Sequence, residues 1–302
     1  MIVAGLPTDI SWEDPRENFR RVGAMAEASL ERPGERGSSL AGERPRGSAT
    51  DGRGWPGAGP PHELPIRPHF LVLPEMFATG FSMESEKVAA FAEETRAFLA
   101  ELARRHSVFV LGGYAEPAHP RPANACSIFG PDGEEILHYR KLHPFSLAGE
   151  QDHYVPGESL TTANLEGVRV TPFICYDLRF PEPFRLAASR TDLFCVIANW
   201  PAKRREPWSL LLRARAVENQ AYVLGVNRVG AGGGEPHSGD SALLDPLGQV
   251  VAEASTPDAP AAFVGEVEPA TVTRVRERFS FLGDRRPELY RRLEEGRAGA
   301  GS

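Results

Sequence analysis

Cysteine is scarce in this sequence of 302 residues, which contains only Cys126, Cys175 and Cys195. No two of them form a CxxC pair, and an odd number leaves one thiol over. Neither a disulfide framework nor a zinc site is therefore predicted. Free thiols are typical of proteins in a reducing compartment. We expect a cytoplasmic protein without a bound metal.

Long apolar runs and an excess of basic residues are also missing. No stretch approaches the ~18 continuous apolar residues of a membrane helix, and residues 1–14 lack the basic start of a signal peptide. The formal net charge of −7 argues against a nucleic-acid-binding protein, which usually presents a basic face. A few local arginines could still attract an anionic substrate. We expect a small-molecule partner, with no nucleic acid and no membrane.

Most of the chain shows an alternation of apolar strand patterns and helical periodicity. Helices are predicted from Pro15, at residues 91–102 and at residues 208–220. Strands are predicted at residues 2–6, 70–73, 108–111, 125–129, 135–139, 168–174, 193–198, 222–227, 241–244 and 250–254. Alternation mixed with hairpins predicts helices packed over a mixed sheet or a pair of sheets. We expect one α/β domain over residues 1–302.

Residues 33–68 interrupt this alternation. Glycine and proline dominate the segment, and apolar periodicity is almost absent. Such a composition predicts a long flexible loop inserted between the first helix and the second strand. A segment that wraps around a partner is the alternative.

Cys175 is the first candidate for chemistry. An apolar strand pattern ends at this residue, and a polar turn containing proline follows. A nucleophile at such an elbow is exposed at the edge of a sheet, and the backbone N–H of Tyr176 can point at a developing oxyanion. A buried cysteine is the alternative, and it is what we expect of Cys126 and Cys195, which lie inside apolar strand patterns.

A thiol nucleophile needs a base, because a cysteine of ordinary pKa is mostly protonated at neutral pH. None of the histidines stands in a pattern typical of a Cys–His pair. Glu75 and Lys141 each follow a predicted strand, where site residues of α/β proteins lie. A lysine near the thiol would favour its ionised form and could donate to an oxyanion. Each residue alone could equally be a solvated charge.

Three motifs together resemble those of the nitrilase superfamily of carbon–nitrogen hydrolases. The glutamate motif corresponds to residues 73–77 (LPEMF), the lysine motif to 139–143 (YRKLH) and the cysteine motif to 174–182 (ICYDLRFPE). Further similarities are residues 199–201, 213–219 and 239–241, so the match runs in order along nearly the whole chain.

The resemblance implies an α-β-β-α sandwich that forms a homodimer, with a Glu–Lys–Cys triad and no cofactor. The triad would consist of Glu75, Lys141 and Cys175. Many members use a second glutamate between the lysine and the cysteine. Here Glu150 is the candidate and Glu158 its rival.

Residues 75–83 and 150–154 are most similar to the ω-amidase branch, whose members hydrolyse dicarboxylate monoamides such as 2-oxoglutaramate. Such a substrate needs a cation for its far carboxylate, and Arg179 and Arg228 are candidates. Phe145 and Trp200 could line the pocket, although either could instead belong to the core. Residues 230–237 depart from the family pattern, and we interpret them as a flexible loop that could border the pocket.

Other activities of the superfamily remain open from the sequence. Hydrolysis of nitriles or N-carbamoyl compounds and acyl transfer would all keep the same triad and differ in the pocket. A catalytically silent scaffold of the same fold is the alternative of a different class. The intact Glu75, Lys141 and Cys175 argue against a scaffold, which has no physical need for all three.

Overall fold

The structure is a computed structural model that describes residues 1–31, 67–254 and 261–296. The described residues contain fourteen strands and seven α-helices. The strands are β1 (Ile2–Gly5), β2 (Phe70–Val72), β3 (Phe109–Glu116), β4 (Ala123–Phe129), β5 (Glu135–Arg140), β6 (Ala163–Leu165), β7 (Val168–Ile174), β8 (Leu193–Ala198), β9 (Tyr222–Asn227), β10 (Val229–Gly232), β11 (Glu235–Ser238), β12 (Ala242–Leu244), β13 (Val250–Glu253) and β14 (Phe263–Glu266). The helices are α1 (Pro15–Glu31), α2 (Ser85–Ala89), α3 (Ala92–His106), α4 (Pro181–Ala187), α5 (Arg205–Asn219), α6 (Pro269–Arg278) and α7 (Pro287–Glu294).

Twelve of these strands form two mixed six-stranded sheets, and β10 and β11 form a separate hairpin. The first sheet has the order β14-β1-β2-β3-β4-β5, and the second has the order β13-β12-β9-β8-β7-β6. Parallel pairing joins β1, β2 and β3 in the first sheet and β7, β8 and β9 in the second. Antiparallel strands extend each sheet to its edges.

Alternate residues of the strands face two different cores, as the two-residue period of a strand requires. Val72 of the first sheet and Phe173 of the second belong to one buried cluster that fills the space between the sheets. Leu71 faces the opposite way and packs in a second cluster with Leu99 of α3 and Val22 of α1. On the other side of the molecule α5 packs against β9. The predicted α-β-β-α sandwich is therefore confirmed.

The structure corrects several predicted bounds. Residues 230–237 belong to the β10–β11 hairpin, so the interpretation of a flexible loop was wrong. Helix α5 begins at Arg205, three residues before the predicted start, and β3 continues to Glu116. Nearly all of the predicted insertion at 33–68 lies outside the described residues. Within the described ranges, no helix has both the length and the apolar character needed to cross a bilayer.

Four strands end close to one another and so create a single site. Glu75 follows β2, Lys141 follows β5, Cys175 follows β7 and Asn199 follows β8. The first two strands belong to one sheet and the last two to the other. The site therefore lies where the two sheets meet, and each of these residues follows the carboxyl end of its strand, where site residues of α/β proteins are expected.

Candidate active site

Cys175 occupies a strained elbow at the end of β7. Its backbone φ is +45°, in the left-handed region that residues with a Cβ rarely adopt. The buried carboxylate of Asp177 accepts hydrogen bonds from the backbone N–H groups of Ile174 at 3.1 Å and His143 at 3.0 Å. These bonds hold the elbow against the segment that follows β5. With this backbone conformation the half-buried thiol lines a cavity.

Glu75 is completely buried, and both of its carboxylate oxygens are hydrogen-bonded. One oxygen accepts from Asn124 Nδ2 at 2.7 Å and from Lys141 Nζ at 3.1 Å. The other accepts from the backbone N–H of Asn199 at 2.8 Å, and the side chain of Asn199 donates to the Glu75 carbonyl at 2.5 Å. A carboxylate held on both oxygens has a fixed orientation.

Lys141 joins Glu75 to the second glutamate, Glu150. The ammonium lies 2.8 and 3.0 Å from the two oxygens of Glu150, and both side chains are almost fully buried. Glu150 also accepts from Asn124 Nδ2 at 3.0 Å and from the backbone N–H of Phe145 at 2.5 Å. Two carboxylates and one ammonium therefore form a buried cluster in which Asn124 bridges the carboxylates.

Burial raises the pKa of Cys175 well above its ordinary value, and the negative charges of Glu75 and Glu150 raise it further. The ammonium of Lys141 opposes this shift but does not reverse it. Lys141 thus favours the ionised thiol, as expected, but burial and the two carboxylates outweigh its contribution. These shifts favour the protonated thiol, so a nucleophilic role for Cys175 would require a base.

Burial and neighbouring charges also shift the pKa values of Lys141 and Glu150. Burial alone would lower the pKa of Lys141, but the carboxylates of Glu150 and Glu75 outweigh it and raise that pKa. Burial raises the pKa of Glu150, and the charge of Glu75 adds to this effect. The raised pKa of Lys141 favours the charged ammonium beside Cys175.

A cavity of about 550 Å³ opens above Cys175 and Lys141. The predicted pocket residues Tyr176, Phe145, Arg179 and Trp200 all line it. The rings of Phe145 and Tyr176 pack with centroids 4.8 Å apart, and the guanidinium of Arg179 lies 4.9 Å from the centroid of the Trp200 ring. The β10–β11 hairpin borders the cavity through Gly232, Gly233, Glu235 and His237.

Several predicted candidates do not reach the cavity. Glu158 is exposed, and Arg228 is fully buried with its guanidinium directed to backbone carbonyls of Ile10, Val229 and Ala231. Cys126 and Cys195 are fully buried within the core between the sheets, as their apolar strand patterns predicted. In the described part of the chain, no group of three His, Cys, Asp or Glu side chains could hold a metal ion.

Sequence reasoning missed the amide and carboxylate side chains that hold the site together. Asn124 is a polar residue within the apolar pattern of β4, and that anomaly was the available signal. Asn199 was noted only within the 199–201 similarity. Asp177 lies in the cysteine motif, yet its role depends on contacts with residues of another sheet.

Comparisons with known proteins agree with this architecture. The carbon–nitrogen hydrolase family model matches residues 6–277. An omega-amidase (YafV) of Yersinia enterocolitica is 40% identical over 215 residues, which span 71% of this chain and 83% of that protein. A 2-oxoglutaramate amidase of Bacillus subtilis is 31% identical over 224 residues, 73% of this chain and 86% of that protein.

The solved structures include a CN-hydrolase superfamily protein of Xanthomonas campestris that bears an arsenic adduct in its active site. It is 28% identical, has a TM-score of 0.77, and the match covers 95% of this chain and 97% of that one. The resemblance expected from the three motifs is therefore confirmed, and the chain belongs to the carbon–nitrogen hydrolase family.

Proposed function

We propose that this enzyme is an ω-amidase that hydrolyses the terminal amide of dicarboxylate monoamides such as 2-oxoglutaramate, with Cys175 as nucleophile. The observation that carries the proposal is the position of Cys175 at the base of a cavity beside the buried cluster of Glu75, Lys141 and Glu150. The names of the relatives in Yersinia enterocolitica and Bacillus subtilis support the substrate class.

Acylation begins with transfer of the Cys175 proton to Glu75. The sulfur then attacks the amide carbonyl carbon, and the ammonium of Lys141 and the backbone N–H of Tyr176 stabilise the oxyanion. Glu75 returns the proton to the nitrogen, the C–N bond breaks and ammonia leaves, so a thioester remains on Cys175. One oxyanion donor is typically worth about 10²–10³-fold in rate.

Deacylation uses the same groups in the reverse direction. Glu75, assisted by Glu150, takes a proton from water while the oxygen attacks the thioester carbonyl carbon. The C–S bond breaks, the acid is released, and the proton on Glu75 restores the thiol. General acid–base assistance of this kind typically contributes about 10²–10⁴-fold.

The far carboxylate of the substrate would bind Arg179. This guanidinium lines the cavity and stacks on Trp200. Arginine suits the role because its planar fork binds both oxygens of a carboxylate. Phe145 and Trp200 would provide apolar walls for the methylene chain.

Removal of the nucleophile tests the chemistry. Cys175→Ala should abolish ammonia release from 2-oxoglutaramate, whereas Cys195→Ala, which changes a thiol buried in the core, should retain turnover when the protein folds. Iodoacetamide should label Cys175 faster than Cys126 or Cys195, which are fully buried. Normal turnover by Cys175→Ala, or equally slow labelling of all three thiols, would contradict the proposal and favour a scaffold.

A substrate panel separates the proposed activity from its neighbours in the superfamily. The enzyme should release ammonia from ω-amides faster than from nitriles or N-carbamoyl amino acids. A preference for either of the latter would replace the ω-amidase assignment without changing the roles of Cys175, Glu75 and Lys141.

The family resemblance also leads us to propose a cytoplasmic homodimer. The three free thiols suit a reducing compartment. Sedimentation velocity at micromolar concentration would detect the dimer, and a sedimenting species of one chain's mass, 32.9 kDa, would contradict it.

A further inference from the structure

Arg204 lies between two other cations whose surroundings differ from its own. Lys203 and Arg205 are both exposed, and they form ion pairs with Glu235 and Asp240 respectively. Arg204 is half-buried, and no carboxylate of the described residues pairs with it. Of three consecutive cations, the least exposed is therefore the one without a counter-ion.

The guanidinium of Arg204 is fixed in the wall of the Cys175 cavity by aromatic contacts. It lies 5.2 Å from the centroid of the Phe145 ring, and that ring packs on Tyr176, the residue after the nucleophile. The Arg204 carbonyl accepts a hydrogen bond of 2.7 Å from the indole of Trp200, on whose ring Arg179 stacks. A continuous series of contacts therefore runs from Tyr176 through Phe145, Arg204 and Trp200 to Arg179.

Both stacked arginines have unused hydrogen-bonding capacity. Within the described ranges, no side chain accepts a hydrogen bond from the guanidinium of Arg179 or Arg204. Two carboxylates of the cavity wall are already committed, since Glu13 pairs with Lys87 and Glu235 pairs with Lys203. A partly buried cation without a counter-ion favours an anionic ligand.

Stacking on an aromatic ring also pre-organises the guanidinium of an arginine for binding a carboxylate. The aromatic face holds the guanidinium plane in place, so less conformational freedom is lost when its fork binds. Two such forks on different segments, the turn after β7 and the segment before α5, can bind one anionic group from two directions.

We propose that Arg204 is a specificity-determining residue that binds, together with Arg179, the carboxylate at the non-reacting end of the substrate. The pocket then selects amides whose far end is anionic over neutral amides of the same length. This inference rests on the proposed ω-amidase function and adds to it a residue and a selection rule.

Glutaramate and pentanamide form a matched pair of substrates, since they differ only in a carboxylate that replaces a methyl group. Arg204→Gln should lower kcat/KM for glutaramate by about 10–100-fold, chiefly through KM, because a charge-assisted contact to the ground state is lost. Hydrolysis of pentanamide should change much less. Arg205→Gln is the matched control, since it removes an adjacent, exposed and ion-paired cation that does not line the cavity, and it should leave the ratio of the two substrates unchanged.

Two further measurements distinguish carboxylate binding from a general structural role. Arg204→Lys should recover part of the glutaramate preference, since it restores the charge without the fork, and competitive inhibition by glutarate should weaken in Arg204→Gln. If wild-type enzyme prefers glutaramate but Arg204→Gln keeps that preference and the glutarate inhibition, the Arg204 proposal is overturned while the ω-amidase proposal stands. If wild-type enzyme hydrolyses pentanamide as well as glutaramate, the ω-amidase proposal itself fails.

Discussion

The protonation state of Cys175 follows from three neighbours that act in opposite directions. Burial and the carboxylates of Glu75 and Glu150 raise the pKa of the thiol, and Lys141 lowers it by less. The net effect favours the protonated thiol, so formation of the thiolate would require a base. Because Glu75 is fixed on both oxygens next to the thiol, it is the group best placed to take that proton.

Glu150 and Glu158 provide a direct comparison at the residue scale. Glu150→Gln removes the negative charge that faces Lys141, so it should lower kcat for 2-oxoglutaramate by about 10²-fold without abolishing activity. Glu158→Gln changes an exposed carboxylate and should leave kcat unchanged. Steady-state ammonia release measures both. A larger loss in Glu158→Gln than in Glu150→Gln would reverse the assignment.

The triad candidates could be predicted from the sequence because each lies in a motif after a strand pattern. The residues that hold them could not, since their partners are distant in the chain. Asn199 donates to Glu75 across 124 positions, and the chain shows no local sign of this contact. Arg204 lies in a run of cations that is typical of a solvated surface, and its half-burial and its contact with Phe145 are visible only in the structure.

At the scale of elements, the longer strands and helices agreed with their sequence patterns. Strand β8 is a fully apolar run in the parallel centre of a sheet, and such a run is identifiable from sequence. The short β6 and β14 and the helices α6 and α7 were missed. Strand β14 pairs with β1 near the opposite end of the chain, so its four residues are extended because of a partner that no local window contains.

Asp177 connects two elements that carry different parts of the site. Besides the backbone bonds at the elbow, its carboxylate accepts from Tyr139 Oη at 2.8 Å and lies 2.8 Å from His143 Nδ1. Tyr139 and His143 flank Lys141 in the chain. One buried carboxylate thus fixes the segment of the lysine against the turn of the cysteine.

We expect Asp177→Asn to act as a positioning defect. The amide keeps the shape but loses the charge and one acceptor, so kcat should fall by about 10–100-fold while KM changes little. Asp245→Asn is the matched control, because Asp245 also accepts from two backbone N–H groups but lies in the β12–β13 turn. An equal fall in kcat for both variants, or a fall only in thermal stability, would argue against positioning.

At the scale of the whole molecule, the buried cluster of Glu75, Lys141 and Glu150 lies where the two sheets meet. Glu75 and Lys141 come from one sheet, and Cys175 and Asn199 come from the other. A buried group of charges in this place contributes to the folding free energy as well as to catalysis. Its balance depends on Lys141, whose ammonium pairs with both carboxylates.

Lys141→Met should therefore destabilise the fold in a pH-dependent way. Without the ammonium, two buried carboxylates remain unpaired, a change that typically costs roughly 3–5 kcal/mol of unfolding free energy. Burial already raises the pKa of Glu150 in the wild type, and loss of the cation raises it further. The native variant then holds protons that the unfolded chain has released, so its free energy of unfolding falls as the pH rises above the ordinary carboxylate range. Urea unfolding should show a larger loss at pH 8 than at pH 5, whereas Lys203→Met, at an exposed ion pair, should show little loss at either. A loss in Lys141→Met that is equal at both pH values would mean that its carboxylates stay ionised or gain solvent.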